Sequence, residues 1–555
     1  MPSQLRFPLF SYPWLLLASL LLVLSAGRSA QAQGPNWQTA LAIPQTANAF
    51  THILQTAADG NGNVYVAGTF SGSITLGTTT LTARFSQLFV AKWSSTTGQF
   101  VWGITQGDAL SPNGLAVQGT SVYVSASTTA PTGYVIKVTD AGVSASVGWV
   151  QTFPNALMGE LAAVGPSVYL YGSFSDPTLT LGTTTLTNTG FSSLFVAKLT
   201  DAGATATYTW AVKAGGSGSA SSASAHRLAV QGSAVYLAGD FTASLTFGPT
   251  QVTSTGQGDV FISKLTDNAS TAQFVWTKTI SGSSNDYAYG LCVSGTSVYV
   301  GGAFFSPTLT CGSTTLSNMG AINIFITKLT DAGSTGTFTW AQRGGGSGSD
   351  VLNGLLVQGA TVYAYGYFGP STSTTFGSST LANAGNYDGF VTALTDAGTT
   401  SSFSWASSIG STSGERITAM SATGSTLYVA ADLSSPSVSF GSHVVTNSSG
   451  YAAGCLASFT PTVLAASSAK LLIGSSLYPN PASGSTRVQL PAVPGATYAT
   501  LTVRNLLGQA VRTSTVTLPA TGLTYELGLA GLAKGLYQVH LQAGEYAGIQ
   551  RLAVE

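Results

Sequence analysis

Short apolar runs separated by Gly, Ser, Asn and Asp recur along most of the chain. In the stretch 297–346, the runs VYVGG, IFITKLT and FTWAQ alternate or are continuously apolar, and they are rich in β-branched and aromatic residues. Runs of this kind between turn-forming residues are typical of short antiparallel strands joined by turns. The pattern therefore predicts an all-β chain that is built from a repeated unit.

One tyrosine and one tryptophan mark the phase of the repeats. The tyrosine of the VY strand recurs seven times, at Tyr65, Tyr123, Tyr169, Tyr236, Tyr299, Tyr363 and Tyr428. The tryptophan of the last strand follows the first six of them, at Trp102, Trp149, Trp210, Trp276, Trp340 and Trp405. A seventh tryptophan, Trp37, precedes the first tyrosine instead. The two sets are therefore offset by one strand.

This offset favours a ring over a linear stack. If the strand around Trp37 pairs with the strands of the last repeat, the first and last units are joined and no sheet edge stays open at the junction. We therefore predict a seven-bladed β-propeller with Trp37 at the ring closure. Tandem immunoglobulin-like domains need about 100 residues each, which exceeds the repeat length, and a β-solenoid is a further alternative.

Two features vary between the repeats. The second repeat lacks a segment of two brief alternating runs, seen at 176–188 and 306–318, which we interpret as an extra hairpin at the rim of a four-stranded blade. Loops and rims are where such scaffolds usually carry binding residues. Aspartates also open a turn in five repeats, where a carboxylate accepts from nearby backbone N–H groups. We interpret them as turn residues, with a ring of acidic ligands as the alternative: Asp140, Asp201, Asp267, Asp331 and Asp396.

The N-terminal segment predicts export. Arg6 is followed by the apolar run LLLASLLLVL and then by the small-residue site Ala30-Gln31-Ala32. This is the pattern of a secretory signal peptide, residues 1–32, with an uncleaved anchor as the alternative. No later apolar stretch is long enough to span a membrane. Charged residues make up 7% of the chain and the formal net charge is zero, so nucleic acid is not an expected partner.

The repeats resemble those of bacterial β-propeller proteins. The matching residues are NVYVAG at 63–68, LFVAKLT at 194–200 and WAVKAGG at 210–216. The resemblance covers about residues 34–461 and implies the fold rather than an activity, because propellers have many functions. We assign residues 33–461 to the propeller and 462–476 to a linker.

Residues 477–555 form a second predicted domain. The alternation of Tyr537, Val539 and Leu541 with polar residues indicates strands, and the size suits an immunoglobulin-like sandwich. The segment resembles the type A C-terminal sorting domain of the bacterial type IX secretion system. The residues that carry this match are Tyr478, Pro479, Asn480 and Pro481, the turn 505–508, the segment 531–537 with Gly535 and Tyr537, and the terminal residues 552–555. The resemblance implies type IX machinery as partner, passage through the outer membrane, and an extracellular or cell-surface location.

No catalytic, cofactor-binding or metal-binding residues are predicted. The histidines are scattered, and His226 is expected to be a lone exposed side chain. Glu160 and Glu415 stand isolated in the sequence. The odd number of cysteines, three, gives no disulfide framework, so we expect buried thiols, with a Cys292–Cys311 bridge as the alternative.

These observations favour a binding or structural module over an enzyme. We expect a polysaccharide or a surface glycoprotein as ligand, bound at polar, tyrosine-containing rims such as 285–287 and 386–388. A secreted hydrolase or lyase that acts on polysaccharide is the alternative, and it would need carboxylates from separate blades to meet in one pocket.

Overall fold

A computed structural model describes residues 35–371, 373–461, 470–505, 510–544 and 546–555. The predicted signal peptide, residues 1–32, lies outside the described residues. Contacts divide the chain into one unit that ends at Thr462 and a second that begins at Val463. Every regular element in these described segments is a β-strand. They contain no helix of the length and apolar character that crossing a bilayer requires.

Seven groups of four antiparallel strands, with short hairpins inserted in most of them, make up the first unit. We call them blades 1 to 7 and give their strands in order from the inner strand outward. Blades 1 to 3 are Phe50–Ala58, Asn63–Leu76, Thr79–Ser94 and Gln99–Asp108; Ser111–Gln118, Ser121–Ser127, Thr132–Asp140 and Ala145–Pro154; and Ala156–Val164, Ser167–Phe174, Ser193–Asp201 and Ala206–Gly215.

The other four blades have the same organisation. Blades 4 and 5 are Ala223–Gln231, Ala234–Phe241, Asp259–Asp267 and Ala272–Ile280; and Asp286–Ser294, Ser297–Phe304, Asn323–Asp331 and Gly336–Gly344. Blades 6 and 7 are Ser349–Gln358, Thr361–Gly369, Asp388–Asp396 and Ser401–Ile409; and Glu415–Thr423, Thr426–Leu433, Ala453–Thr460 and Asn36–Ala42.

Blade 7 takes its outer strand from the N-terminal end of the described chain. Trp37 lies opposite Phe459 in this antiparallel pairing. Its indole is 7% exposed and packs edge-on against Phe440 and Phe459, with ring centroids 5.1 and 5.0 Å away. Blade 7 also packs on blade 1 through a core that includes Tyr428, Leu456 and Phe89. The seven blades thus close into a ring.

Apolar cores fill the spaces between neighbouring blades all round this ring. The prediction of a seven-bladed β-propeller is confirmed. The predicted extra hairpin follows the second strand of blades 3 to 7 and is absent from blade 2, whose second and third strands are joined directly. Its strand pairs are Thr178–Leu181 and Thr184–Thr187; Ser244–Phe247 and Thr250–Thr253; Thr308–Cys311 and Thr314–Ser317; Ser373–Phe376 and Ser379–Ala382; and Ser437–Phe440 and His443–Thr446.

These hairpins also pair with strands of the neighbouring blade. In blade 4 the hairpin pairs with the outer strand of blade 3, where Ala214 lies opposite Phe247. In blade 5 it bridges to the end of blade 4, where Ser281 lies opposite Thr310. The hairpins therefore join neighbouring blades at the outer circumference.

Aspartates of the third-strand turns join blades at one face of the ring, which we call the turn face. Asp331 of blade 5 accepts hydrogen bonds from three side chains of blade 4. These are the Tyr236 hydroxyl at 2.7 Å, Lys264 Nζ at 2.5 Å and Trp276 Nε1 at 3.0 Å. Its Oδ1 also accepts the Gly333 backbone N–H at 3.0 Å. The expected turn role is therefore present, but it is only part of what this residue does.

The same group of four side chains recurs at four further junctions. In each, an aspartate accepts from a tyrosine hydroxyl and a tryptophan indole of the preceding blade and forms an ion pair with its lysine. The aspartates are Asp140, Asp201, Asp267 and Asp396. Burial alone would raise the pKa of these carboxyls, but the hydrogen bonds from lysine, tyrosine and tryptophan outweigh it, so each pKa is lowered.

Two junctions lack this group, and each lacks both charged members. Between blades 6 and 7, Tyr363 and Trp405 are retained, but Ala393 stands at the lysine position and Pro461 at the aspartate position. Between blades 7 and 1, Ser458 and Ser95 stand at these positions. A lysine without its aspartate would be a buried unpaired charge, which is strongly destabilising. This explains why both charges are absent together.

The second unit is an immunoglobulin-like sandwich, as predicted. One sheet contains Lys470–Leu471, Tyr546–Val554, Gly535–Ala543, Tyr498–Arg504 and Ala510–Thr517, and the other contains Ser476–Tyr478, Ser485–Leu490 and Leu523–Gly528. Leu472 is buried in the core of this sandwich. Residues 470–472, which the sequence assigned to the linker, are therefore part of the second unit.

All three cysteines are free thiols. Cys311 is buried in the core between blades 4 and 5, whereas Cys292 borders the core between blades 5 and 6. The two side chains belong to different cores, so the alternative Cys292–Cys311 bridge is not formed. Burial raises the pKa of the Cys311 thiol to about 12, which keeps it protonated and unreactive.

Candidate functional site

The face opposite the turn face carries the connections between blades, and we call it the connection face. Each inner strand begins there and each second strand ends there, because neighbouring strands of a blade are antiparallel. Arg416, at the start of an inner strand, lies directly opposite Asp432, near the end of a second strand. The central channel opens on this face between the seven inner strands.

Each inner strand has a shift of register at a corresponding position. A β-bulge leaves a residue unpaired and turns its side chain in a new direction. The residues at these shifts are Leu54, Asn113, Gly159, Glu160, His226, Tyr289, Asn353 and Thr418. Five of them, Leu54, Asn113, Tyr289, Asn353 and Thr418, line a cavity of about 440 Å³ at the channel mouth. The bulges thus supply much of the lining of the mouth.

Arg227 also lines this cavity and bonds to the backbone of two neighbouring blades. Its Nε donates to the Tyr289 carbonyl at 2.6 Å, and its Nη2 donates to the Asn353 carbonyl at 2.7 Å. Glu160 accepts the Leu228 backbone N–H at 3.1 Å. Burial raises the pKa of Glu160, and the nearby Arg227 charge opposes this shift. Glu160 is thus isolated in the sequence but lies beside Arg227 in the channel.

On the side of blades 4 and 5, aromatic rings surround the mouth. Tyr287 and Tyr289 are stacked, with ring centroids 5.9 Å apart and planes inclined by 12°. Phe305 packs edge-on against Tyr287, and His226 packs edge-on against Tyr289. His226 also forms a hydrogen bond with Asp240. The expectation of a lone exposed His226 is wrong, because its partner lies on the neighbouring strand of the same blade.

On the side of blades 6, 7 and 1, a second cavity of about 600 Å³ opens on the same face. Its lining includes His52, Tyr387, Arg416 and Asp432. His52 Nδ1 lies 2.9 Å from Asp432 Oδ2. Burial lowers the pKa of His52, but the Asp432 carboxylate outweighs it, so the pKa is raised.

The Arg416 side chain in this cavity packs against two tyrosines of blade 6. Its guanidinium carbon lies 4.7 Å from the centre of the Tyr367 ring and 5.4 Å from that of Tyr387. The two rings meet edge-to-face with their centroids 5.5 Å apart. Tyr367 also lines the first cavity, so this cluster lies between the two cavities.

The acidic residues of the predicted rims have another role. Asp286 is fully buried and accepts from the backbone N–H groups of Phe305 and Ser306 and from the Ser306 hydroxyl. Burial raises its pKa to about 6. Asp388 is 1% exposed and accepts the Ala384 backbone N–H. Of the predicted rim segments 285–287 and 386–388, Tyr287 stacks on Tyr289 at the mouth, and Asn386 and Tyr387 line a cavity there. The aspartates are buried and hold loops.

The predicted sorting residues lie in the second unit. The Asn480 side chain donates to the Arg551 carbonyl at 2.6 Å and accepts the Ala553 N–H at 2.9 Å. Tyr478, Pro479 and Pro481 flank it and are exposed. This segment thus holds the C-terminal strand, while its neighbouring side chains remain accessible.

The second part of the predicted sorting motif is at the start of the strand Gly535–Ala543. Gly535 has φ +155°, a backbone conformation that favours glycine. Tyr537 is buried, and its hydroxyl donates to the Ala533 carbonyl at 2.8 Å. A tyrosine bonded to the backbone a few residues upstream is also found in immunoglobulin-like domains. These residues fix the local backbone of the sandwich.

In the described segments, no group of three or more His, Cys, Asp or Glu side chains is arranged to hold a metal ion. Glu415, also isolated in the sequence, is buried and accepts the backbone N–H groups of Ser411 and Ser435 at 2.9 Å. Its role there is structural.

Residues 476–555 match the family model of the secretion system C-terminal sorting domain. No curated protein sequence matches the chain. Among solved structures, the chain is similar to BamB from Moraxella catarrhalis, with 12% identity over 76% of this chain and 99% of that one and a TM-score of 0.36. It is also similar to the periplasmic gluconolactonase PpgL from Pseudomonas aeruginosa, with 11% identity over 65% and 86% and a TM-score of 0.38. A third similar structure is that of Sqt1 from Saccharomyces cerevisiae, with 8% identity over 77% of this chain and 99% of that one and a TM-score of 0.37. The chain is a seven-bladed β-propeller protein that carries a type IX secretion C-terminal sorting domain, which implies secretion or a cell-surface location.

Proposed function

We propose that this exported propeller is a binding module whose ligand is a polysaccharide or the glycan of a surface glycoprotein. The observation that carries the proposal is the mouth of the channel on the connection face. Partly exposed tyrosines and mostly uncharged polar side chains line two adjoining cavities of about 440 and 600 Å³ there. Cavities of this size, with aromatic walls and a few polar groups, are typical of small-molecule sites.

The chemistry of the lining suits a sugar. A pyranose ring has an apolar C–H face and a rim of hydroxyl groups, so it needs a flat apolar surface beside planar donors and acceptors. Tyr289 and Tyr367 offer such surfaces, and Gln55, Asn113 and Asn353 provide amide groups in the same cavity. Tyrosine suits this role because its ring is apolar and its hydroxyl is polar.

A hydrolase or lyase is the second candidate function. Most glycoside hydrolases use two carboxyl groups that flank the scissile bond. The 440 Å³ cavity has no carboxylate among its lining residues, and the 600 Å³ cavity has only Asp432, which is paired with His52. These linings support binding over hydrolysis.

Export would follow the route that the second domain implies. In this proposal, residues 1–32 direct the chain across the inner membrane and are removed. The sorting domain, with its exposed Tyr478-Pro479-Asn480-Pro481 segment, then presents the chain to the type IX machinery. The propeller is released or attached to the outer cell surface.

A glycan array with the full exported chain tests the proposal. We expect binding to a subset of polysaccharides, and we expect Tyr289→Ala to weaken it about 10-fold, because loss of ring stacking and buried area costs about 1–2 kcal/mol. Phe85→Ala is the matched control, since Phe85 is 65% exposed on the third strand of blade 1 and lines neither cavity. An array without signal, or equal loss in both variants, would contradict the proposal. Release of reducing sugar from a bound glycan would favour the hydrolase.

A further inference from the structure

Arg416 is an exposed cation whose hydrogen-bonding capacity is unused. In the part of the chain that the structure describes, no hydrogen bond or ion pair involves its guanidinium, and its contacts are the faces of Tyr367 and Tyr387. Cation–π contact fixes the plane of the guanidinium without consuming its N–H donors. The group is therefore oriented and still has five donors to offer.

The nearest expected partner of Arg416 is already paired elsewhere. Asp432 lies directly opposite Arg416 on the neighbouring strand, and opposite charges at such cross-strand positions usually attract each other. Asp432 instead pairs with His52 of blade 1 at 2.9 Å. Arg416 lies against the blade 6 tyrosines, so the single carboxylate in the cavity lining is bound through its Oδ2 to a different residue, His52.

The remaining lining of this 600 Å³ cavity is polar and mostly uncharged. Asn386, Thr412, Ser413 and Ser434 provide amide and hydroxyl groups, and Tyr387 provides a ring. These groups match the hydroxyl rim and apolar face of a sugar. They leave one strong positive feature, Arg416, whose guanidinium forms no ion pair with any described residue.

We propose that Arg416 binds the carboxylate of an acidic sugar, so that the ligand of the mouth is a uronate-containing polysaccharide. This inference rests on the proposed glycan-binding function. A guanidinium offers two parallel N–H donors that match the two oxygens of a carboxylate, and such charge-assisted pairs are shorter and stronger than neutral hydrogen bonds. The Tyr387 ring beside the guanidinium is the surface on which the same sugar residue stacks.

Titration calorimetry with two probes of the same shape tests this inference. The probes are tetragalacturonate and its methyl ester, which keeps the ring and hydroxyl groups but has no negative charge. We expect the full chain to bind the acid at least about 10-fold more tightly than the ester, since hydrogen bonds to a charged group are stronger than those to a neutral one.

Variants of Arg416 separate charge from shape. Arg416→Gln should weaken binding of the acid about 10-fold and leave binding of the ester unchanged. Arg416→Lys should restore only part of the loss, because an ammonium lacks the planar fork. The matched control is Arg84→Gln, since Arg84 is also exposed and lies 5.3 Å from the centre of the Phe85 ring, but outside either cavity. This control should bind like the parent chain.

The possible outcomes distinguish this inference from the proposed function. Equal binding of acid and ester, with loss in Tyr289→Ala, would overturn the role of Arg416 and keep glycan binding. Absence of binding to every glycan on the array would overturn the proposed function and this inference together. Binding of inorganic sulfate or phosphate at Arg416 without binding of tetragalacturonate would also overturn the assignment to an acidic sugar.

Discussion

The two faces of the propeller use charged residues in opposite ways. On the turn face, Asp331 and its four counterparts each accept from a lysine, a tyrosine and a tryptophan of the preceding blade. On the connection face, the Arg416 guanidinium lies over two tyrosine rings and forms no hydrogen bond or ion pair with any described residue. The same group of four side chains occurs at five junctions of the turn face, whereas the residues at the channel mouth differ from blade to blade.

This difference separates the face that stabilises the ring from the face at which we propose that the ligand binds. A buried charge must be paired, so each turn-face lysine is matched by an aspartate of the next blade, and both are absent where Ala393 and Pro461 stand. At the mouth, the bulge positions carry Leu54, Asn113, Tyr289 and other types. The repeated residues of the turn face stabilise the ring, whereas the residues that differ between blades line the channel mouth.

The largest effect should come from removal of the strand that completes blade 7. Deletion of residues 34–43, with the signal peptide retained, removes Trp37 and exposes the edge of Ala453–Thr460. We expect a lower melting temperature and aggregation, because an unpaired strand edge associates with other chains. Both faces should lose order together. An unchanged melting temperature by calorimetry would show that this strand does not hold the ring closed.

The next largest effect should come from a single turn-face aspartate. Asp331→Ala leaves Lys264 buried without its carboxylate, which should cost about 3–5 kcal/mol of unfolding free energy. Asp108→Ala is the control, since Asp108 is exposed and bonds only to Gln87. Denaturant unfolding measures both. Glycan binding by folded Asp331→Ala should match the parent, whereas equal stability of the two variants would contradict the structural role of the group.

A third variant restores a repeat residue without its partner. Ala393→Lys introduces the lysine that five other blades carry, but the aspartate position is Pro461. Ala393 is fully buried, so we expect a loss of about 1–3 kcal/mol from overpacking and from the unpaired charge. Denaturant unfolding of this variant beside the parent is the measurement. A gain in stability would show that lysine alone is favourable there.

The smallest effect should be a pH dependence of opposite sign at the two faces. The pKa of each turn-face aspartate is lowered, so its contribution to stability is present above the unfolded pKa of about 3.9 and is lost as the pH falls through the folded value. The pKa of Asp286 on the connection face is raised to about 6, so its contribution is present below about pH 4 and is lost between about pH 4 and 6.

Unfolding free energies measured from pH 7 to pH 3 test this difference. Asp286→Asn should flatten the dependence between about pH 4 and 6, because an amide does not titrate. Asp331→Asn should flatten it below about pH 4. If Asp286→Asn changes the unfolding free energy only below about pH 4, the assignment of the raised pKa to this carboxyl is wrong.

The sequence predicted the repeated part of the molecule well. The recurring tyrosine and tryptophan strands gave the fold class, because both residues occupy one position in every blade. The paired occurrence of Lys264 with Asp331 one repeat later, and their joint loss at Ala393 and Pro461, was also visible as a pattern. Its meaning was missed because a residue that opens a turn already has a sufficient local explanation.

The channel mouth could not be predicted in the same way. His52 and Asp432 are 380 positions apart and meet only because the ring closes. Tyr289 and His226 face the channel through bulges, which shift the strand register and leave no clear signal in the alternation of apolar and polar residues. The segments 285–287 and 386–388 were selected by composition, which finds tyrosines but does not distinguish an exposed aspartate from a buried one.

A crystal structure of the full chain soaked with the strongest binder from the glycan array would show where on the propeller the glycan binds. We expect a sugar at the channel mouth on the connection face, with a ring against Tyr289 or Tyr387 and a polar group within hydrogen-bond distance of the mouth side chains. Density for the sugar at the turn face, on the outer hairpins or on the sorting domain, with an empty mouth, would contradict it.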